Sequence, residues 1–156
     1  LARSTSSFGM AMNLVISATS DMETEHRVLA LLDAAAARHG VTFARQDLRV
    51  EARLDGGFAG GLVARLGPHW MLIHLLAVEE AMRGQGVGRA LILAAEDAAR
   101  SAGAIGVWLD TFSFQAPDYY PNLGYTECGR IADYPPGGAR IFYQKRLDGG
   151  SDDRHG

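Results

Sequence analysis

Three glycines at alternate positions form a segment where bare backbone could bind an anion. Gly84, Gly86 and Gly88 stand in the run RGQGVGRAL, flanked by Arg83 and Arg89, after an apolar run and before an alanine-rich one. A strand that ends in glycines and continues as a helix collects backbone N–H groups at the helix N-terminus, and such a nest binds phosphate. Glycine allows the close approach and the positive φ angles that this requires. The two guanidinium groups beside the nest suit a diphosphate.

The two best-known phosphate loops do not fit this segment. The Walker loop requires a lysine and then a serine or threonine after its second glycine, but Arg89 and Ala90 follow Gly88, so phosphoryl transfer is disfavoured. The dinucleotide fingerprint requires a third glycine at the position of Arg89. A glycine turn with a purely structural role is the alternative, because such short motifs also occur by chance. The order of the surrounding elements has to decide between the two interpretations.

The elements around the loop are predicted from hydrophobic periodicity and from turn and capping signals. In chain order they are a strand over 14–18, a helix from the capping-box pattern of Ser20 and Glu23 to Gly40, strands over 48–54, 58–66 and 70–78, a helix after the loop with Glu96 and Arg100 as an i, i+4 pair, a strand over 105–110, a short helix over 116–123, and strands over 124–131 and 140–146. This order predicts an α/β (α+β) fold, with a mixed, mostly antiparallel central sheet of about six to seven strands flanked by helices.

Length and composition limit what the protein can be. With 156 residues, 47% of them apolar, the chain has room for one domain with a core. We assign this domain to 12–147, with a disordered leader or expression remnant over 1–11 and a disordered tail over 148–156. The net charge of -3 and the lack of a long apolar run argue against nucleic-acid and membrane partners. The single cysteine, Cys128, fits a cytoplasmic protein, and the five histidines show no metal-ligand spacing, so no metal is expected.

Two segments of the chain resemble one enzyme family. The run from Arg83 to Gly88 matches the pattern R/Q-x-x-G-x-G/A, placed after a central strand that ends in Leu76-Ala77-Val78. The run APDYYPNLGY at 116–125 is similar to the pattern A-x-x-F-Y-x-K-x-G-F. Both patterns are those of the GNAT superfamily of acetyl-CoA-dependent N-acetyltransferases, which the chain resembles over nearly the whole domain. The resemblance implies a GNAT-like fold and acetyl-CoA as the co-substrate.

The resemblance also implies which residues bind acetyl-CoA. Backbone amides of the glycine loop would hold the pyrophosphate, and the end of the strand over 70–78 would diverge from the next strand and pair with pantetheine. Ser113 falls where many relatives carry an asparagine that touches the pantetheine arm. The residues assigned to the coenzyme are Leu76, Ala77, Val78, Arg83, Gly84, Gln85, Gly86, Val87, Gly88, Arg89, Ser113 and Tyr120.

Tyr120 is the candidate acid of the implied reaction. Amine acetylation needs a neutral amine, an oxyanion donor and a proton for the departing thiolate. A phenol is a chemically sensible acid, because thiol and phenol pKa values differ by only about one or two units. Tyr120 resembles the family's tyrosine acid by position, and a core aromatic is the alternative. Tyr119 stands where the family usually has phenylalanine and is expected to point elsewhere.

The general base is predicted to be a carboxylate that takes the excess proton of the amine, directly or through water. Glu79 and Glu80 follow the cofactor strand, and Asp110 ends the next strand. We name Glu79 and Asp110 as the candidates, although each is also a typical solvated charge. His74 lies in an apolar run and is interpreted as a hydrogen-bonded core histidine rather than a base.

The acceptor side is less defined by the sequence. Phe112 and Phe114 flank Ser113, and they fit an acyl or amine pocket as well as they fit the ordinary core. A loop over 131–140 carries Asp133 and Tyr134, which can interact with a cation. The predicted acceptor is the primary amine of a small molecule, acetylated by direct transfer in a ternary complex. The alternatives are a protein amino group, an acyl-CoA-binding sensor with little catalysis, and a nucleotide-binding regulatory domain. The resemblance also allows a homodimer through the edge of the closing strands.

Overall fold

The chain divides into two compact units, residues 1–42 and 43–156, where the sequence predicts one domain over 12–147. The computed structural model describes residues 4–7, 13–43, 45–115 and 118–149. The predicted disordered segments therefore lie mostly outside the described residues. Each unit is presented by itself.

Residues 1–42 contain a pair of strands and a helix. Strand β1 (Ser4–Ser7) pairs antiparallel with β2 (Asn13–Ile16), which corresponds to the predicted strand over 14–18. Strand β1 falls within the segment that the composition assigns to a leader. Helix α1 spans Met22–Ala37.

The start of α1 differs from the sequence prediction by one residue. The N-cap is Asp21, whose carboxylate accepts a hydrogen bond from the Glu23 N–H at 2.9 Å. The capping box with Ser20 at the N-cap is therefore wrong. A carboxylate satisfies a free N–H of the first turn as a hydroxyl would, and its charge also interacts favourably with the helix dipole.

The second unit begins with the predicted antiparallel meander. Its strands are β3 (Gln46–Leu54), β4 (Gly57–Leu66) and β5 (Trp70–Val78). Asp55 and Gly56 have φ angles of 49° and 80°, and the residues before and after them are paired across the turn. A two-residue turn with both φ angles positive matches the right-handed twist of the strands that it joins. Asp55 and Gly56 therefore form the turn of a hairpin between β3 and β4.

A crossover then turns the meander into a mixed sheet. A single 3₁₀ turn (Glu80–Met82), helix α2 (Val87–Ser101), strand β6 (Gly106–Phe112), helix α3 (Tyr119–Asn122), strand β7 (Thr126–Ala132) and strand β8 (Ala139–Arg146) follow in order. The six strands lie in the order β3-β4-β5-β6-β8-β7, and only the β5–β6 pair is parallel. This confirms the predicted mixed, mostly antiparallel sheet and the GNAT-like order of elements after the first helix.

Helix α2 packs its apolar face against this sheet. Leu91, Ala95 and Ala99 recur every four residues and are buried, as the helical period requires for one face. Among the strand residues, Leu62, Met71, Val107 and Leu109 are fully buried in the same cluster. The core therefore fixes α2, and with it the glycine loop at its N-terminus, against strands β3, β4 and β5. Within the described part of the chain, no helix is both long and apolar enough to cross a bilayer.

Candidate active site

A fork between the two parallel strands opens the candidate site. Strand β5 pairs with β6 only from Trp70 to Ile73, opposite Gly106 to Leu109, although β5 continues to Val78. The last residues of β5 thus have no partner strand on the β6 side. This is the divergence that the resemblance implies for pantetheine binding, with free main-chain groups along Leu76, Ala77 and Val78.

A cavity of about 1070 Å³ occupies this fork. Of the residues predicted for the site, those that line it are Leu76, Ala77, Val78, Arg83, Gly84, Gly86, Val87, Gly88, Arg89, Asp110 and Tyr120. The glycine loop, the end of β5 and the candidate acid are therefore brought together. Gln85, Glu79 and Ser113 are not among the lining residues.

The glycine loop has the backbone geometry of an anion nest. Gly84 and Gly86 adopt φ angles of +78° and +80°, and a Cβ on either would meet no atom within 4 Å. Gly86 caps α2 without a side-chain hydrogen bond, and the first helical bond runs from the Ala90 N–H to the Gly86 carbonyl. The N–H groups of the first turn therefore lack acceptors within the helix. These groups, with Arg83 and Arg89 exposed on either side, fit a diphosphate.

Tyr119 lies in the same cavity, and the expectation that it points elsewhere is wrong. It lines the cavity with Tyr120, and the two rings meet edge to face with their centroids 5.2 Å apart. The Tyr119 hydroxyl lies next to Gly88, and a Cβ added to Gly88 would overlap this hydroxyl. Burial raises the pKa of Tyr119, and the nearby charge of Arg89 opposes that shift. Helix α3 is only one turn long, so both rings can reach the cavity wall from adjacent positions.

Tyr120 is held among aromatic rings. Its centroid lies 6.0 Å from that of Tyr125 and 5.6 Å from that of Tyr143. Burial is the main cause that raises its pKa to about 12, and interactions with Tyr119, Asp110 and Tyr143 contribute to the same shift. The hydroxyl therefore keeps its proton at neutral pH, as an acid or a hydrogen-bond donor must.

Asp110 lines the cavity as half of an ion pair. Its Oδ1 accepts from Nε of Arg140 at 2.6 Å, and Arg140 Nη1 also donates to the Tyr134 hydroxyl at 3.2 Å. Hydrogen bonding to Asp110 is the main cause that raises the pKa of Arg140. Sequence reasoning missed Arg140, which meets Asp110 only because β6 and β8 place them as diagonal neighbours.

An aromatic group surrounds this ion pair. Phe112 and Phe114 are stacked with centroids 5.4 Å apart and planes 6° apart, and Tyr134 meets Phe112 edge to face at 5.5 Å. The Arg140 guanidinium lies 5.8 Å from the centre of the Phe112 ring and 5.3 Å from that of Tyr134. Phe112 and Phe114 line the cavity, so we call Asp110, Phe112, Phe114 and Arg140 its acceptor end.

Three of the predicted functional residues lie apart from these groups. Glu79 and Glu80 are exposed outside the cavity lining, and the Glu79 N–H donates to the Ala59 carbonyl at 2.9 Å. The Ser113 hydroxyl accepts from the Ala139 N–H at 2.9 Å, which leaves its own proton as the group that could reach a ligand. His74, interpreted from the sequence as core, is exposed and lines the cavity. Of the two base candidates, Asp110 lines the cavity and Glu79 does not, while His74, which the sequence did not favour as a base, lines it as well.

A buried charge beneath the site was also missed. Glu96 in α2 exposes 1% of its surface. It accepts from Lys145 Nζ at 3.0 and 3.1 Å and from the Tyr125 hydroxyl at 3.0 Å, whereas the predicted partner Arg100 is 3.9 Å away. Lys145 also donates to the Leu123 carbonyl at 2.8 Å. This cluster ties the helix behind the glycine loop to β8 and to the turn that follows Tyr120.

Comparisons with known proteins agree with this geometry. The profile of the acetyltransferase (GNAT) family matches residues 11–125. An acetyltransferase from Agrobacterium fabrum is 36% identical over 138 residues, which covers 87% of this chain and 100% of that protein. A blasticidin-S acetyltransferase from Streptomyces morookaense is 45% identical over 83 residues, 53% of this chain and 61% of that protein. The crystal structure of an acetyltransferase from Bacillus cereus matches with a TM-score of 0.76 at 28% identity, and covers 85% of this chain and 96% of that one.

Proposed function

Because this chain belongs to the GNAT family of acetyltransferases, we propose that it transfers an acetyl group from acetyl-CoA to the primary amine of a small molecule. The observation that carries the proposal is that the glycine loop, Tyr120 and the end of β5 beyond its pairing with β6 line the same cavity. A site for a diphosphate, a strand edge for an amide-bearing arm and a protonated phenol are the parts that acetyl transfer from coenzyme A requires.

The coenzyme fits the residues that would hold it. The open space beside Gly84 and Gly86 leaves room for phosphate oxygens at the helix N-terminus, and the free edge of β5 offers N–H and C=O groups to the pantetheine amides. Acetyl-CoA supplies the thioester carbonyl that a neutral amine attacks, with loss of the thiolate. Cys128 lies on β7 outside the cavity lining, which supports direct transfer in a ternary complex.

The roles of the protein side chains follow from their protonation and position. Tyr120 carries its proton at neutral pH, so it can donate to the departing sulfur as the carbon–sulfur bond breaks. The amine must lose one proton before or during attack. Asp110 and His74 line the cavity, and either can pass that proton to water. Oδ1 of Asp110 already accepts a hydrogen bond from Arg140. We therefore place His74 ahead of Glu79 as the proton acceptor.

A small-molecule acceptor is supported by two observations. The relative from Streptomyces morookaense is named for the acetylation of an antibiotic, and it shares 45% identity with an 83-residue part of this chain. The volume of the cavity, about 1070 Å³, is also close to the size range of small-molecule sites. A protein amino group remains the alternative acceptor.

The test is thiol release from acetyl-CoA with a panel of amines, with coenzyme A binding measured by calorimetry alongside. The panel holds aryl amines, alkyl amines, polyamines, aminoglycosides and lysine peptides. We expect binding of coenzyme A and turnover of one class of small amine. Turnover of lysine peptides alone would assign a protein acceptor, and binding without any turnover would assign a sensor.

A further inference from the structure

The acceptor end carries an aromatic surface that the transfer chemistry does not use. Phe112 packs one face of Phe114, yet 69% of Phe114 remains exposed. Among the described residues no other ring lies against Phe114. The stack therefore ends in an open ring face at the wall of the cavity. An exposed phenylalanine at a cavity wall is the kind of surface that a planar ligand covers.

The ion pair beneath the stack fixes its position. Arg140 lies over Phe112, its guanidinium is held by Asp110 and Tyr134, and Phe112 in turn supports Phe114. Because Phe112 already packs against Phe114, the Phe114 side chain loses little conformational entropy when a ligand stacks on it. Little of the binding free energy of the stacking contact is therefore offset by ordering this side chain.

The charges at the acceptor end favour a ligand with few positive charges. Within the described part of the cavity wall, Asp110 is the one carboxylate, and Arg140 neutralises it at 2.6 Å. The other charged residues of the wall, Arg83 and Arg89, are cationic and belong to the glycine loop. A polycation would need several uncompensated carboxylates, because each unpaired positive charge has to leave water.

We infer that the acceptor is a primary amine whose molecule carries a flat conjugated ring, which stacks on the open face of Phe114, and that it is not a polyamine or an aminoglycoside. This inference rests on the proposed function, since it assigns the acceptor class of the same cavity. Ring stacking provides the recognition, and the Asp110–Arg140 pair provides a wall without net charge.

The experiment compares phenethylamine with cyclohexylethylamine, which has the same carbon skeleton but no π system, and with spermidine. Binding of each amine to the complex of the protein with coenzyme A is measured by calorimetry, and turnover by thiol release. We expect phenethylamine to bind about fivefold more tightly than cyclohexylethylamine, as aromatic stacking predicts, and more tightly than spermidine.

Variants assign this preference to one ring. Phe114→Leu keeps an apolar side chain and should abolish the preference, while Phe114→Trp should retain it. Phe58→Leu is the matched control, because Phe58 is an exposed phenylalanine of β4 outside the cavity lining. Equal binding of the phenyl and cyclohexyl amines, tighter binding of spermidine, or a preference that survives Phe114→Leu would each overturn the inference. Preferential aryl binding that depends on Phe114 but gives no turnover would support ring stacking at this site and contradict the proposed function.

Discussion

The two ends of the cavity are built from different parts of the chain. At the cofactor end the contacts come from backbone: the N–H groups around Gly86 and the unpaired edge of β5. At the acceptor end they come from side chains, with the Asp110–Arg140 ion pair beside Phe112 and the ring of Phe114 stacked on Phe112. Backbone groups are common to all residues and are oriented by φ angles, whereas side-chain contacts depend on residue type. The contacts of the cofactor end therefore depend little on residue type, and we propose that the side chains of the other end select the acceptor.

The two ends meet at Tyr120, so Tyr120→Phe is expected to have the largest effect on turnover. Loss of a positioned acid lowers kcat by about a thousandfold, while the affinity for coenzyme A stays within about twofold because the glycine loop is untouched. Tyr119→Phe is the matched control, since it removes a neighbouring hydroxyl from the same cavity wall. Steady-state kinetics and calorimetry test both variants. An equal loss of kcat in both variants would contradict the assignment of Tyr120 as the acid.

The raised pKa of Tyr120 adds a pH test. A phenol with a pKa of about 12 keeps its proton when an unfolded tyrosine, with a pKa of about 10, has lost it. The folded state then holds more protons than the unfolded state, so this contribution to stability is full below pH 10 and is lost as the pH rises towards 12. Denaturant unfolding of the wild type between pH 9 and 11 should show a steeper decline than that of Tyr120→Phe. Parallel declines would contradict the shift.

The buried cluster of Glu96, Lys145 and Tyr125 connects α2, which begins at the glycine loop, to β8, the strand that carries Arg140. Glu96→Gln leaves Lys145 without a countercharge and is expected to lower the free energy of unfolding by about 3 kcal/mol. Glu127→Gln is the control, because Glu127 forms an ion pair with Arg130 at the exposed surface, where such pairs contribute little to stability. Urea denaturation followed by circular dichroism measures both. Similar losses in the two variants would show that the buried cluster adds no more than a surface pair.

The cofactor end can be tested at a single glycine. Gly86→Val places a side chain in the space for the phosphate and forces a φ of +80° on a branched residue. We expect the dissociation constant of coenzyme A to rise by about a hundredfold, as the loss of one or two charge-assisted hydrogen bonds predicts.

Gly56→Val is the matched control for this substitution. Gly56 has the same φ of +80° and the same open surroundings, but it lies in the turn between β3 and β4. Both variants should lose similar stability in a thermal unfolding experiment, and only Gly86→Val should lose affinity. Weak coenzyme binding in both would attribute the effect to backbone strain alone.

The same contrast explains which features the sequence predicts. The glycine loop and the Asp55-Gly56 turn can be predicted from short stretches of sequence. Each requires positive φ angles, which only glycine or a few polar residues adopt easily. The order of strands and helices, and the fork at the end of β5, follow from periodicity together with the family patterns. These are all statements about backbone, and the structure agrees with them.

The acceptor end could not be predicted in this way. Asp110 and Arg140 are 30 positions apart and meet only through the register of β6 against β8, which a single sequence does not specify. Glu96 has an obvious helical neighbour in Arg100, and its stronger partner Lys145 lies 49 positions away. Tyr119 was misplaced because the direction of a ring on a one-turn helix depends on what packs around it. Side-chain partners distant in the chain are set by tertiary structure, and local patterns carry little information about them.

The smallest effect is expected at the acceptor end, and it decides whether side-chain charge selects the acceptor. Arg140→Gln leaves Asp110 as an uncompensated carboxylate in the cavity wall, so spermidine should bind the coenzyme A complex about fivefold more tightly, in line with one added charge interaction near the protein surface. The affinity for coenzyme A should stay unchanged, because the glycine loop is built from other residues. Arg130→Gln is the control, since it removes an exposed arginine of β7 outside the cavity lining. Unchanged spermidine affinity in Arg140→Gln would mean that Asp110 does not face the acceptor, and selection would then rest on the ring of Phe114 alone.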